Sequence, residues 1–164
     1  MQLALNPVQT PADFTSATLM LPSFRGRSMS EVMCELVQAL HQEDASMSGL
    51  LLPALKALNR ELLTSTALDA GAIFPEVRLL GGTLTRFAVG RAVTPLHWRA
   101  ANFPPLEIIF LIVQPARTEA TGKMLATQLK RFGTDKQCVA RLREARNANE
   151  MLAVLRTDGR LALT

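Results

Sequence analysis

Pro104-Pro105 leads into Leu106-Glu107-Ile108-Ile109-Phe110-Leu111-Ile112-Val113, a nearly continuous, β-branched apolar run that stops at Gln114-Pro115-Ala116. A strand with one wet face alternates polar and apolar residues. A run without alternation is a strand covered on both faces. The same run falls far short of the ~20 apolar residues that a membrane-spanning helix needs. The chain must therefore supply helices for two sides of a sheet. The class expected is α/β, a small mixed β-sheet flanked by helices. A length of 164 residues fits one domain with one well-buried core.

The helices are marked by spacing and caps. Ser28-Met29-Ser30-Glu31 reads as a capping box, with Val32, Met33, Leu36, Val37 and Leu40 following at helical intervals. Ser48 is the cap expected for a second helix, with Pro53 in its first turn and Leu51, Leu55, Leu58 and Leu62 inward. A third starts between Thr118 and Thr121, buries Met124, Leu125, Leu129 and Phe132, and has Gly133 as its C′ residue. Thr134-Asp135 caps a fourth, and Asn147 to Glu150 opens a fifth that ends at Thr157-Asp158-Gly159. Short strands are expected at Ala17–Leu21, at Ala72–Phe74 ending with Pro75-Glu76, and in the weakly alternating Arg86–Val93. Residues 1–16 read as a loose lead-in and 17–164 as the domain.

Composition narrows the chemistry. Charged residues are 20% and hydrophobic ones 48%, an ordinary globular balance. The formal charge of +4 favours anionic partners by long-range steering. Only His41 and His97 are present, so no histidine-rich metal site can be built, and no metal or cofactor is expected. Cys34 and Cys138 lie in apolar helical patterns and read as reduced thiols. The basic residues Lys130, Arg131, Lys136, Arg141, Arg143 and Arg146 read as a solvated helical face. Acids interrupt them and aromatics are absent, so no nucleic-acid partner is expected. Thr121-Gly122-Lys123 lacks both ends of a phosphate-binding loop motif. The N-terminus has no basic start and no long apolar core, so the expected location is cytoplasmic, with no membrane insertion.

Functional residue types concentrate between Arg60 and Arg78. A helix end carries Arg60-Glu61, a hydroxylic turn follows at Thr64-Ser65-Thr66, then Gly71, then a short apolar run closed by Pro75-Glu76. Helix ends and such turns expose oriented N–H groups. Arg60 at a helix C-terminus is favoured by the dipole alone. Its planar guanidinium is equally suited to hold a phosphoryl oxygen or a carboxylate.

This stretch resembles the active-site segment of phosphotransferase-system enzyme IIA domains of the fructose, mannitol and nitrogen-regulatory class. Arg60-Glu61, Ser65-Thr66, Gly71 and Pro75 match that pattern without a gap, and the strand ending at Gln114-Pro115-Ala116 matches a second element. The resemblance implies the sheet order of that fold. It also implies that the phosphoryl-accepting histidine of the family is Glu76 here, and that a second, supporting histidine falls at Gly122. Ala67 and Asp69 replace residues that are usually glycine in the family.

A neutral imidazole nitrogen accepts a phosphoryl group and releases it again, while an arginine and backbone donors stabilise the equatorial oxygens. A carboxylate repels the incoming group. Phosphotransfer is therefore expected to be lost. Glu76 instead pairs with Arg60 and accepts from Ser65 or Thr66, filling the site with its own anion, or it is an exposed acid without a role; both readings stand. The expected binding residues are Arg60, Ser65, Thr66, Glu76 and Gly122. The function implied is that of a degenerate IIA-like regulatory, protein-binding domain rather than an enzyme. A phosphocarrier protein, a kinase or a transporter are the candidate partners. The alternatives are an active carrier with a non-histidine acceptor, and a small-anion sensor.

Overall fold

The structure, a computed structural model, describes residues 10–47, 49–64, 71–79, 85–96, 106–116 and 119–161. Its sheet is built around the apolar run. β5 (Leu106–Pro115) lies in the middle, antiparallel to β4 (Arg86–Leu96) on one side. On its other side it is parallel to β2 (Ala72–Ile73) and to β3 (Glu76–Leu79). β1 (Met20–Leu21) adds to β4 in parallel, giving the order β1-β4-β5-β2, with β3 beside β5. Every residue from Ile108 to Val113 is fully buried, as a strand without alternation requires.

Pro75 explains why β2 and β3 are two strands. Its carbonyl accepts from Ile112 N–H at 2.9 Å, so its main chain faces β5, where a proline has no N–H to give. The ladder breaks there and resumes one residue later. Glu76 thus opens a strand, where the sequence pattern ended one. Ala17–Leu21, expected as a strand, is a 3-10 turn at Ala17–Leu19 before the two-residue β1.

The two sheet faces bury different helices. Ile109, Leu111, Val113, Ile73 and Val77 pack with α1 (Met29–Glu43) and α2 (Leu51–Thr64). Ile108, Phe110, Ile112 and Phe74 pack with α3 (Glu119–Thr134), α4 (Lys136–Glu144) and α5 (Ala148–Leu161). Phe74 stacks on Phe110 at 4.9 Å between centroids, and Phe132 meets Phe110 edge-on at 6.2 Å. Within the expected lead-in, Pro11–Phe14 forms a 3-10 turn, Phe14 is buried, and Thr15 Oγ1 donates to Phe87 O at 2.8 Å.

The caps differ from expectation in detail. Ser28 Oγ accepts from Glu31 N–H at 3.2 Å, but Glu31 reaches back to Arg27 N–H at 3.1 Å rather than to Ser28. Asp135 accepts from Gln137 and Cys138 N–H, and Asn147 from Glu150 N–H. Gly133 is not a C′ residue. α3 runs through it to Thr134, and its φ is not positive. A Cβ there would overlap the Phe74 ring, so the position is held small by close packing. α5 likewise continues past Gly159 to Leu161. The expected cap Ser48, and His97, lie outside the described residues. Neither cysteine is in a disulfide; Cys138 is buried and Cys34 partly so.

Candidate functional site

α2 carries Leu52, Lys56 and Arg60 at intervals of four residues, which stacks them in one stripe along its surface. β3 lies alongside at the edge of the sheet. Between them runs a groove of about 1030 Å³, lined by Leu52, Lys56, Arg60 and Glu61 from the helix and by Glu76, Val77 and Arg78 from the strand, with Pro53, Ala57 and Asn59 completing it. Arg60 and Glu76, distant in sequence, thus line one surface.

The strand's alternation decides where each side chain goes. Val77 enters the α1–α2 core. Glu76 is in register with Ile112, a member of the opposite core, so the two side chains leave the sheet on the α3 side. Lys130 reaches it from α3, with Nζ 3.5 Å from Glu76 Oε2. The pair is partly exposed, with side chains 47% and 31% accessible, so its contribution to stability is at most about 1 kcal/mol. Its effect is to place a cation on the carboxylate of Glu76.

Glu61 stands in the same cluster. Burial raises its pKa above the ordinary 4.5, Lys130 opposes that shift, Glu76 adds to it, and Arg60 opposes it. Two carboxylates therefore share the neighbourhood of Lys130. The sequence pattern placed Lys130 on a solvated face and gave Glu61 no role of its own. No local signal identifies Lys130, because it meets Glu76 across 54 residues of chain through the packing of α3 on the sheet.

The remaining predicted residues fall elsewhere. Ser65 and Thr66 lie outside the described residues. Gly122 is on α3, where a Cβ would overlap Gln114 Oε1, and it does not line the groove. Gln114 is in register with Arg78 and is buried, and among the described residues its Oε1 has no hydrogen-bond partner. Among the described residues no cluster of three or more His, Cys, Asp or Glu could hold a metal ion, and no helix is long and apolar enough to cross a membrane.

The mixed sheet with helices on both faces has the fold of phosphotransferase-system IIA domains of the mannitol and nitrogen-regulatory type. The chain is similar to the nitrogen regulatory protein IIA-Ntr of Neisseria meningitidis, with a TM-score of 0.69 at 22% identity over 88% of this chain and 97% of that one. It is similar to the mannitol-specific cryptic phosphotransferase enzyme IIA CmtB of Escherichia coli, with a TM-score of 0.67 at 10% identity over 90% and 98% of the two chains. It also resembles the mannitol enzyme IIA of Escherichia coli in its complex with phosphorylated mannitol enzyme IIB, with a TM-score of 0.60 at 16% identity over 87% and 96%. No protein-family model and no curated protein sequence matches the chain.

Proposed function

We propose that the chain is a IIA-like protein of the nitrogen-regulatory type in which Glu76 occupies the phosphoryl-acceptor position, and that it works unphosphorylated as a regulatory, protein-binding module. The observation that carries this reading is the ion pair of Glu76 with Lys130 beside a groove that Arg60 lines. The anion that a carrier would acquire by phosphorylation is supplied permanently by a side chain. Its charge of −1 is about half that of a phosphoryl group, about −1.5 to −2. A carboxylate already held by a lysine is a poor nucleophile towards phosphorus, since attack requires it to leave its cation and approach like charge.

That a IIA domain of this fold was solved with a phosphorylated IIB partner supports a protein as the ligand. A phosphocarrier protein, a kinase or the cytoplasmic side of a transporter is the partner class. The test is incubation with a phosphorylated carrier protein, followed by phosphorus NMR and intact-mass measurement. The expected result is no added phosphate. A stable phosphate on any residue overturns the reading.

A further inference from the structure

We infer that Gly122 and Gly133 fix the register of α3 on the sheet and thereby hold Lys130 against the carboxylate of Glu76. They are positioning residues, acting through the lysine. The inference deepens the reading above, since that lysine sets the charge of the same site.

Three contacts follow one another along α3. Near its end, a Cβ on Gly133 would overlap the ring of Phe74. One turn earlier Lys130 pairs with Glu76, two residues beyond Phe74. Nearer its start, a Cβ on Gly122 would overlap the amide of Gln114, which is in register with Arg78, two residues beyond Glu76. Going back along the helix from 133 to 122 therefore follows the strands forward from 74 to 78. The ion pair falls between two steric contacts.

Neither sheet side chain can give way. Phe74 is 1% exposed and stacks on Phe110, which Phe132 meets edge-on. Gln114 is 1% exposed as well. The two glycines are eleven residues apart, roughly three helical turns, so they lie on one face of the helix. Every other residue of α3 carries a Cβ, so no other register seats both Phe74 and Gln114.

The ion pair cannot supply this placement itself. Its side chains are 47% and 31% accessible, and a pair so exposed gains little over solvent while ordering a long, flexible stem. Close packing of two glycines on buried side chains is the stronger constraint. It decides where α3 sits, and the lysine follows.

Glu61 reports the position of Lys130. Burial raises its pKa above the ordinary 4.5, Lys130 opposes that shift, Glu76 adds to it and Arg60 opposes it. A lysine moved away opposes the shift less.

The experiment is titration of the Glu61 carboxyl by carbon NMR on isotope-labelled protein. In Lys130→Met the midpoint should rise. In Gly133→Ala it should rise at least half as far, because α3 is lifted from the sheet beside Lys130. Adding Phe74→Leu, which shortens the obstructing ring, should return it. Gly133→Ala should add nothing in a Lys130→Met chain. Gly122→Ala is the second variant should Gly133→Ala fail to fold: it should raise the midpoint too, and Gln114→Ala should relieve it. A loss of stability with an unmoved Glu61 midpoint overturns the proposal, and leaves the glycines as packing alone. A rise that persists in the Lys130→Met background, or no rise in Lys130→Met itself, also overturns it. No carrier protein enters this measurement. Its failure refutes the positioning role alone, and a phosphate found on the protein refutes the regulatory reading alone.

Discussion

A Cβ built on Gly122 would fall on Oε1 of Gln114, so the glycine of α3 and the buried amide of β5 occupy one space between them. Gln114 is 1% exposed and cannot swing into solvent. In an exposed helix interior, Gly→Ala is worth about 0.8–1 kcal/mol in favour of alanine. Here overpacking wins. Gly122→Ala is expected to destabilise by about 1–3 kcal/mol in denaturant unfolding. In a Gln114→Ala background the same change should become neutral or stabilising, because the obstacle is gone. A double-mutant cycle measures the coupling directly. Equal effects in both backgrounds would mean that the amide does not hold the position small.

Gly133 shows how far local signals reach. A glycine after a helical apolar stripe reads as a cap, yet its neighbour in space is Phe74, which no pattern near Gly133 announces. By contrast, Leu106–Val113 was legible as the central strand because burial on both faces leaves its mark on every residue of the strand itself. The Asp135 cap was legible for the same reason: donor and acceptor lie within three residues. Helical spacing and the Arg60–Glu76 pattern pointed to the stretch that lines the groove. The Glu76–Lys130 pair was not legible, since it depends on the angle at which α3 crosses the sheet. Contacts within one turn or one strand are written locally; contacts made by packing two elements together are not.

Arg91 ties β4 to two distant segments. Its Nε donates to Pro22 O at 2.9 Å, and Nη1 donates to the carbonyls of Leu142, Arg143 and Ala145 at 2.6–2.8 Å, where α4 ends. These carbonyls have no partner within the helix, and a cation suits their end of the dipole. Arg91→Ala is expected to lose about 2–3 kcal/mol, the scale of hydrogen bonds made by a charged donor. Arg91→Lys should recover only part of it, because an ammonium cannot span both segments with one fork. Thermal or urea unfolding of both variants checks the order.

Glu61 gives the cluster a pH dependence. Its pKa is raised, chiefly by burial, so the folded state holds the proton more tightly than the unfolded chain. The contribution of this group to stability is therefore full below its ordinary 4.5 and is lost as pH rises through the raised value. Glu61→Gln removes the titration. Its unfolding midpoint should exceed that of the natural chain at about pH 7, with the difference shrinking towards about pH 4. A constant difference across that range would show that Glu61 does not carry the effect.

Returning a histidine to position 76 tests the inherited pocket from the opposite direction. Glu76→Gln should leave the chain as inert to a phosphorylated carrier protein as Glu76 does, because an amide is no nucleophile. Glu76→His places an imidazole beside Lys130 and on the surface that Arg60 lines. A neighbouring ammonium disfavours the protonated ring, keeping it neutral and nucleophilic, and offers a counter-charge to the phosphoryl oxygens once they arrive. The expected outcome is an acid-labile phosphate on Glu76→His, seen by phosphorus NMR and as a gain of one phosphoryl group in intact mass. Adding Lys130→Met should slow its formation while changing stability by no more than about 1 kcal/mol. A Glu76→His chain that folds normally and takes up no phosphate would mean that the groove has lost more than its nucleophile, and that the acid at its edge is not the single barrier to transfer.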